Sequence, residues 1–174
     1  YIDQYKSDTF VDVNYHLYKN NIGKDLKMMQ ELCSELGFIL STTYALVMPL
    51  ERVIDYCDGN ADDHTNRLSK LLLVDIDEGR EITKNYQNEP CPFLNNQINI
   101  SWDGSVPLCC VTFDRKTSDI SNNYLNDSLN EISKKKENHP LCTKCIKYGL
   151  PAYNLGINQK GWKDLANKKI AQMT

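Results

Sequence analysis

Among the side chains of this 174-residue chain, the seven cysteines are best suited to chemistry, and four are spaced as a set. Cys91 opens the stretch CPFLNNQINISWDGSVPLCC, which closes on Cys109 and Cys110; Cys142 and Cys145 follow in HPLCTKC. Seventeen residues separate Cys91 from Cys109, thirty-two separate Cys109 from Cys142, and two separate Cys142 from Cys145. Thiolates are soft donors, so four of them suit zinc or an iron–sulfur cluster. A zinc ribbon commonly sets two C-x-x-C knuckles face to face, whereas one knuckle here is matched by two cysteines far apart in sequence. A cubane is wider than a single ion and accepts ligands from separated elements. On spacing alone both metals stay open, and so does a structural module whose thiols are free.

The elements that must position these thiols follow from periodicity. Residues 10–17 (FVDVNYHL) alternate and read as a strand. In residues 23–37, Leu26, Met29, Cys33 and Leu36 recur at helical spacing, with Gly37 as the stop. A second strand in 38–47 completes a parallel βαβ unit. Pro49 starts a short helix, the polar run 58–63 marks a boundary, and a longer helix is expected over 62–86. Asp103-Gly104 is a two-residue hairpin turn in which Trp102 faces Ser105, Ile100 faces Pro107 and Ile98 faces Cys109. That register puts Cys109 on the shielded face and Cys110 on the other, unless a bulge swaps them. Pro107 makes this strand an edge or a bulged one. Residues 124–138 read as an amphipathic helix with Leu125, Leu129 and Ile132 inward, and a last helix begins near Gln159.

Other features have plainer readings. Cys33 belongs to a helix stripe and Cys57 to a helix end, so both read as structural. His16 and His139 could ligate but read as polar or capping residues. Lys134, Lys135 and Lys136 read as a solvated helix face, as does the acidic run from Asp75 to Glu81. Trp102 suits either a shield over the thiols or a core position.

Composition bounds the function. With 41% hydrophobic and 25% charged residues the chain can bury a core without staples. A net charge of −3 supplies no basic field for nucleic acid. Apolar runs as short as LLLV exclude a membrane helix. No export signal is visible, so the cysteines are expected to be reduced thiols in the cytoplasm. The chain opens on Tyr1 rather than methionine and reads as a piece of something longer.

Cys91, twelve residues, Gly104, four residues, Cys109, and later Cys142-x2-Cys145 resemble the opening of the SPASM motif of radical SAM enzymes. The wording DGSVPLCC and HPLCTKC resembles that family too, over about residues 91–150. The usual continuation, C-x5-C-x3-C, is absent, which resembles the smaller "twitch" version with one auxiliary [4Fe–4S] cluster. VDVNYHLYKNN, LKMMQELCSELGFIL and YALVMPLERV resemble the late strands and helices of a radical SAM partial barrel. The resemblance implies Cys91, Cys109, Cys142 and Cys145 as ligands, with Cys110 as the alternative to Cys109. Four thiolates leave no open iron, which implies electron transfer to or from a substrate radical. The C-x3-C-x2-C motif that binds the SAM cluster is absent. This chain alone is therefore expected not to be catalytic; S-adenosylmethionine and a second cluster would belong to the full-length parent oxidoreductase.

The expected fold is a mixed α/β (α+β) chain: the end of a partial (β/α) barrel at 1–58, a helical connection at 59–88, a hairpin-plus-helix cysteine domain at 89–153 and a C-terminal helix at 154–174. A half-barrel leaves strand edges uncovered, which implies a missing N-terminal half or a homodimer as partner. The alternative is a zinc module without a redox role. The substrate is not named by any residue.

Overall fold

The computed structural model describes residues 10–173. Residues 1–9, which open the expected 1–58 segment, and residue 174 lie outside the described residues. The described chain mixes helices with two small two-stranded sheets, an α+β arrangement, and no barrel is present among the described residues. It divides into two compact units: residues up to Ala45 with Leu71–Leu73, and Leu46–Lys70 with Val74 onward.

The first unit is one βαβ element. Strand β1 (Asp12–Leu17) leads through a turn into helix α1 (Lys24–Glu35) and returns as strand β2 (Ile39–Tyr44), parallel to β1 with Asp12 opposite Ile39 and Leu17 opposite Tyr44. Val13, Tyr15 and Leu17 are half-buried and alternate with exposed Asp12, Asn14 and His16, the period of a strand with one covered face. The Asn21 side chain closes the turn, accepting from Tyr18 N at 2.7 Å and donating to His16 O at 2.9 Å. Gly37 takes a φ of +67° where α1 stops, a conformation that favours glycine. Within α1 only Cys33 is buried, while Met28, Leu32 and Leu36 are exposed, as are Phe10 and Ile39. This unit covers little of its own apolar surface.

The second unit carries a larger core, with Val53, Ile54, Val74, Ile76, Val106, Leu108, Ile132, Leu150, Tyr153 and Trp162 all buried. Helix α2 (Leu50–Cys57) follows Pro49, which stands as its N-cap. Helix α3 (Asp63–Leu71) starts where Asp62 Oδ1 accepts from Thr65 N at 2.6 Å. The single long helix expected over 62–86 is two helices. The run Leu72, Leu73 and Val74 is buried throughout, which one helix face cannot achieve for consecutive residues. Helix α4 (Ile76–Ile82) then starts at a capping box: Asp75 accepts from Glu78 N and Glu78 accepts from Asp75 N, each at 2.9 Å. A 3₁₀ turn (Lys84–Tyr86) follows, then the single helical turn α5 (Phe93–Asn96).

The expected hairpin is not formed: residues 97–101 make no strand, residues 106–107 pair with a later strand instead, and the turn itself is one residue longer than expected. Gly104 N donates to Ser101 O and Ser101 N donates to Ser105 O, both at 2.9 Å, and Gly104 has a φ of +84°. Ser101 therefore faces Ser105 across a three-residue loop whose glycine forms the bulge. Trp102 sits at the loop tip, 94% exposed, so it neither shields the thiols nor joins the core. Strand β3 (Val106–Pro107) pairs antiparallel with a later strand, and its register is irregular between Val106 and Pro107, where the proline has no N–H to give. Helix α6 (Arg115–Ser118) leads into that partner, β4 (Asp119–Ser121). Arg115 reaches back over the loop, donating to Asp103 Oδ2 and Ser105 Oγ, each at 2.7 Å.

Helix α7 (Leu129–Glu137) is shorter than expected, because Ser128 and Glu131 form a second capping box. Leu125 precedes it and is exposed, Leu129 is exposed, and Ile132 alone of the three expected inward residues is buried. Helix α8 (Pro140–Lys147), helix α9 (Leu150–Asn154) and helix α10 (Gln159–Met173) complete the unit. The Tyr153 and Trp162 rings meet at a 50° tilt, 5.7 Å between centroids, against α4.

Two outcomes follow from this packing. A Cβ at Gly79 would fall 2.5 Å from Tyr153 Cε2 and 2.7 Å from Trp162 Cη2, both on buried rings. Gly79→Ala gains about 1 kcal/mol of helix propensity but overpacks a core, a cost of about 1–3 kcal/mol. Urea unfolding should therefore show a net loss of stability, and equal or higher stability would contradict this contact. At the loop, the Arg115 guanidinium, followed by Ser105, holds the Asp103 carboxyl at about 2. A carboxyl depressed on folding adds stability above its unfolded value near ~3.9, and this stability is lost as pH falls through the folded value. Carboxyl NMR titration should place the Asp103 midpoint near 2 and move it up in Arg115→Met; an unchanged midpoint would deny the ion pair.

Candidate metal centre

Three pieces of the second unit carry the four expected ligands. Cys91 is half-buried at the entry to α5, where its carbonyl accepts from Leu94 N at 3.1 Å. Cys109 is half-buried just past β3, in a turn closed by Thr112: Thr112 Oγ1 donates to Cys109 O at 2.9 Å and accepts from Cys109 N at 3.3 Å. The strand has ended by then, so strand alternation does not govern the direction of Cys109 or Cys110. Cys142 and Cys145 lie on α8, where a spacing of three puts both thiols on one helical face.

Helix α8 is fixed from several directions. His139 caps it, its Nδ1 accepting from Leu141 N at 3.2 Å, and its Nε2 lies 3.1 Å from Thr117 O, so Nε2 carries the proton. Both ring nitrogens are thereby engaged in holding helix to loop. From the end of α2, the Asp58 carboxylate accepts from Lys144 Nζ at 2.6 Å and from the Tyr148 hydroxyl. Lys144 first and Tyr148 second hold the Asp58 carboxyl below its ordinary range. Asn88 N donates to Ile146 O at 3.0 Å, which ties the approach to Cys91 onto the same helix. Gly149 turns the chain out of α8 at a φ of +69°, with Gln87 Cγ 3.2 Å from where a Cβ would stand.

The thiols share one electrostatic neighbourhood. Burial pushes Cys145 far above the usual thiol range, and Cys91, Cys142 and Cys109 add to that in turn. Burial raises Cys142 to about 11, with Cys109 and Cys91 adding and Lys136 opposing. Cys109 is raised chiefly by burial, with contributions from Cys110 and Cys91. All six pairs among Cys91, Cys109, Cys142 and Cys145 thus act on one another. All seven cysteines are free thiols. Among the described residues, no three His, Cys, Asp or Glu side chains gather closely enough to hold a metal ion as they stand.

The remaining candidates lie elsewhere or play other parts. Cys110 is exposed and donates weakly to Gln97 Oε1 at 3.9 Å. Cys33 is buried in the first unit, and His16 is exposed on β1. Cys57, read as structural, lies close enough to Cys145 to raise its pKa. Lys136, read as solvated, is only 3% exposed; its ammonium donates to Phe93 O at 3.3 Å and to Gln97 O. The sequence carried a sign of this, since Lys136 stands four residues after buried Ile132 and so shares its helical face.

In metal-free protein these environments fix an order of thiol reactivity. At pH 8 a thiol at about 11 is ionised in roughly one molecule per thousand. Alkylation followed by mass spectrometry should therefore modify exposed Cys110 early, and Cys142 and Cys145 late, along with buried Cys33. Early modification of Cys145 would contradict its burial.

No protein-family model, curated protein or solved structure matches this chain.

Proposed function

We propose that the chain holds one [4Fe–4S] cluster on Cys91, Cys109, Cys142 and Cys145 and serves as the auxiliary-cluster segment of a radical SAM enzyme. The observation that supports this reading is that four free thiols, one buried and three half-buried, come from three separated pieces of one unit and influence one another's ionisation, without standing close enough to hold a metal as they are. The donor set fits the group: four soft sulfurs, largely withdrawn from water. A tetrahedral zinc site would need sulfurs about 3.8 Å apart, from bonds of about 2.3 Å, and either metal requires the thiols to move from where they stand. A cubane places each thiolate on a different iron, so its ligands stand farther apart. Between Cys109 and Cys110, the half-buried thiol that acts on the other three favours Cys109.

Bound there, the cluster would supply one-electron chemistry, passing an electron to or from a substrate radical. The chain's own residues do the rest. Four thiols give up their protons on loading, so uptake strengthens with pH. With four thiolates in place no iron keeps an open position for substrate. Loading would join the turn past β3, the α5 segment and α8 through one group, so loss of metal loosens this region. Thiols kept reduced fit a cytoplasmic setting.

The βαβ unit is, in the same reading, the end of a partial (β/α) barrel. Its exposed Phe10, Met28, Leu32 and Ile39 suit covering by the remainder of that barrel or by a second copy. S-adenosylmethionine would then bind in that other part, and substrate with it.

Oxygen-free reconstitution tests the proposal. About four irons and four sulfides per chain are expected, retained in Cys110→Ala and lost in Cys109→Ala, with circular dichroism showing both variants folded. About one zinc per chain and no sulfide would sink the cluster and leave a structural knuckle. Retention in Cys109→Ala with loss in Cys110→Ala would reverse the ligand assignment.

A further inference from the structure

Lys136 is the most unusual charge in the second unit. Its neighbours Lys134 and Lys135 are exposed on the same helix, yet Lys136 is buried. An ammonium withdrawn from water carries a penalty of several kcal/mol and is normally matched by a carboxylate. Here no carboxylate stands within ion-pair distance among the described residues. Nζ is held by two backbone carbonyls, Phe93 O and Gln97 O, at the two ends of the α5 segment that follows Cys91. A lysine ammonium has three donors, and these carbonyls occupy two. Two neutral dipoles fix its position without cancelling its charge.

The cysteines can supply a counter-charge only when they are ionised. Lys136 acts on the Cys142 thiol with the sign of a nearby cation. One ammonium therefore holds the chain that follows Cys91 and lies near enough to Cys142 on α8 to favour its ionised form.

We propose that Lys136 is a positioning residue of the four-cysteine site, the buried counter-cation that offsets its negative charge and raises its reduction potential. This rests on the cluster reading above. Four thiolates around a [4Fe–4S] core leave a net charge of −2 when oxidised and −3 when reduced, and a fixed cation favours the more negative state. The same ammonium draws the α5 carbonyls together and so sets where Cys91 stands.

Reconstituted wild type, Lys136→Met and Lys136→Arg test this, each assayed for iron and sulfide and then titrated with dithionite and mediators while the reduced cluster is followed by electron paramagnetic resonance. Lys136→Met should load as wild type does, with a reduced-to-oxidised ratio at fixed potential lower by about tenfold, or about 59 mV for one electron. Lys136→Arg should restore most of the ratio. If Lys136→Met loads poorly while Lys136→Arg loads fully, the positioning role is supported, because Arg keeps both the charge and the donors to Phe93 O and Gln97 O that Met lacks. Full loading in Lys136→Met with an unchanged potential overturns the proposal and leaves the cluster reading intact. Failure of both variants to load overturns it too, since packing rather than charge would then be at stake. Wild type without iron and sulfide overturns both readings.

Discussion

The hold on helix α8 is the constraint on which the rest of the second unit depends. Cys142 and Cys145 are fixed relative to each other by one helical turn, but a helix of eight residues has little stability of its own. It is kept in place from outside. Asp58 takes Lys144 and Tyr148 from one side, Asn88 takes the Ile146 carbonyl from another, and His139 joins its start to Thr117. Each contact brings a different stretch of chain to the helix. The Asn88 contact delivers the strand of chain that reaches Cys91 three residues later, and His139 delivers the end of the β3–β4 region that carries Cys109.

This arrangement gathers thiols at a cost. Burial makes ionisation unfavourable for Cys109, Cys142 and Cys145, most for Cys145 and Cys142. Without metal Cys109, Cys142 and Cys145 ionise less readily than an ordinary thiol and pack as small apolar groups. A metal that replaces the protons turns that cost into affinity that rises with pH. Buried Lys136 is consistent with this reading, because near a neutral Cys142 thiol it has no counter-charge, whereas near a thiolate it has one.

Much of this was legible in the residues, and the failures have physical causes. The βαβ unit could be read because its strand and helix periods run uninterrupted between clear stops at Asn21 and Gly37. The helix over 62–86 could not, since an apolar run such as Leu72–Leu73–Val74 looks helical until Asp75 and Glu78 are recognised as a capping box. Ser128 and Glu131 give the same signal, and it would have placed Leu125 outside α7. Asp103-Gly104 serves two loop lengths, and the glycine's positive φ sits at the third loop position here, which moves the register by one. The exposure of Trp102 follows from that shift. Lys136 was hidden by composition, because three consecutive lysines look like one solvated face when the helix turns one of them inward.

The central claim is that the four gathered thiols, and no others, complete one cubane. Mössbauer spectroscopy of the chain reconstituted with ⁵⁷Fe under anaerobic conditions tests it most directly. The account predicts a single diamagnetic [4Fe–4S]²⁺ species whose irons are all sulfur-ligated, with no site set apart by an oxygen or nitrogen ligand. Only mononuclear iron, or a cubane with one distinct iron, would contradict it.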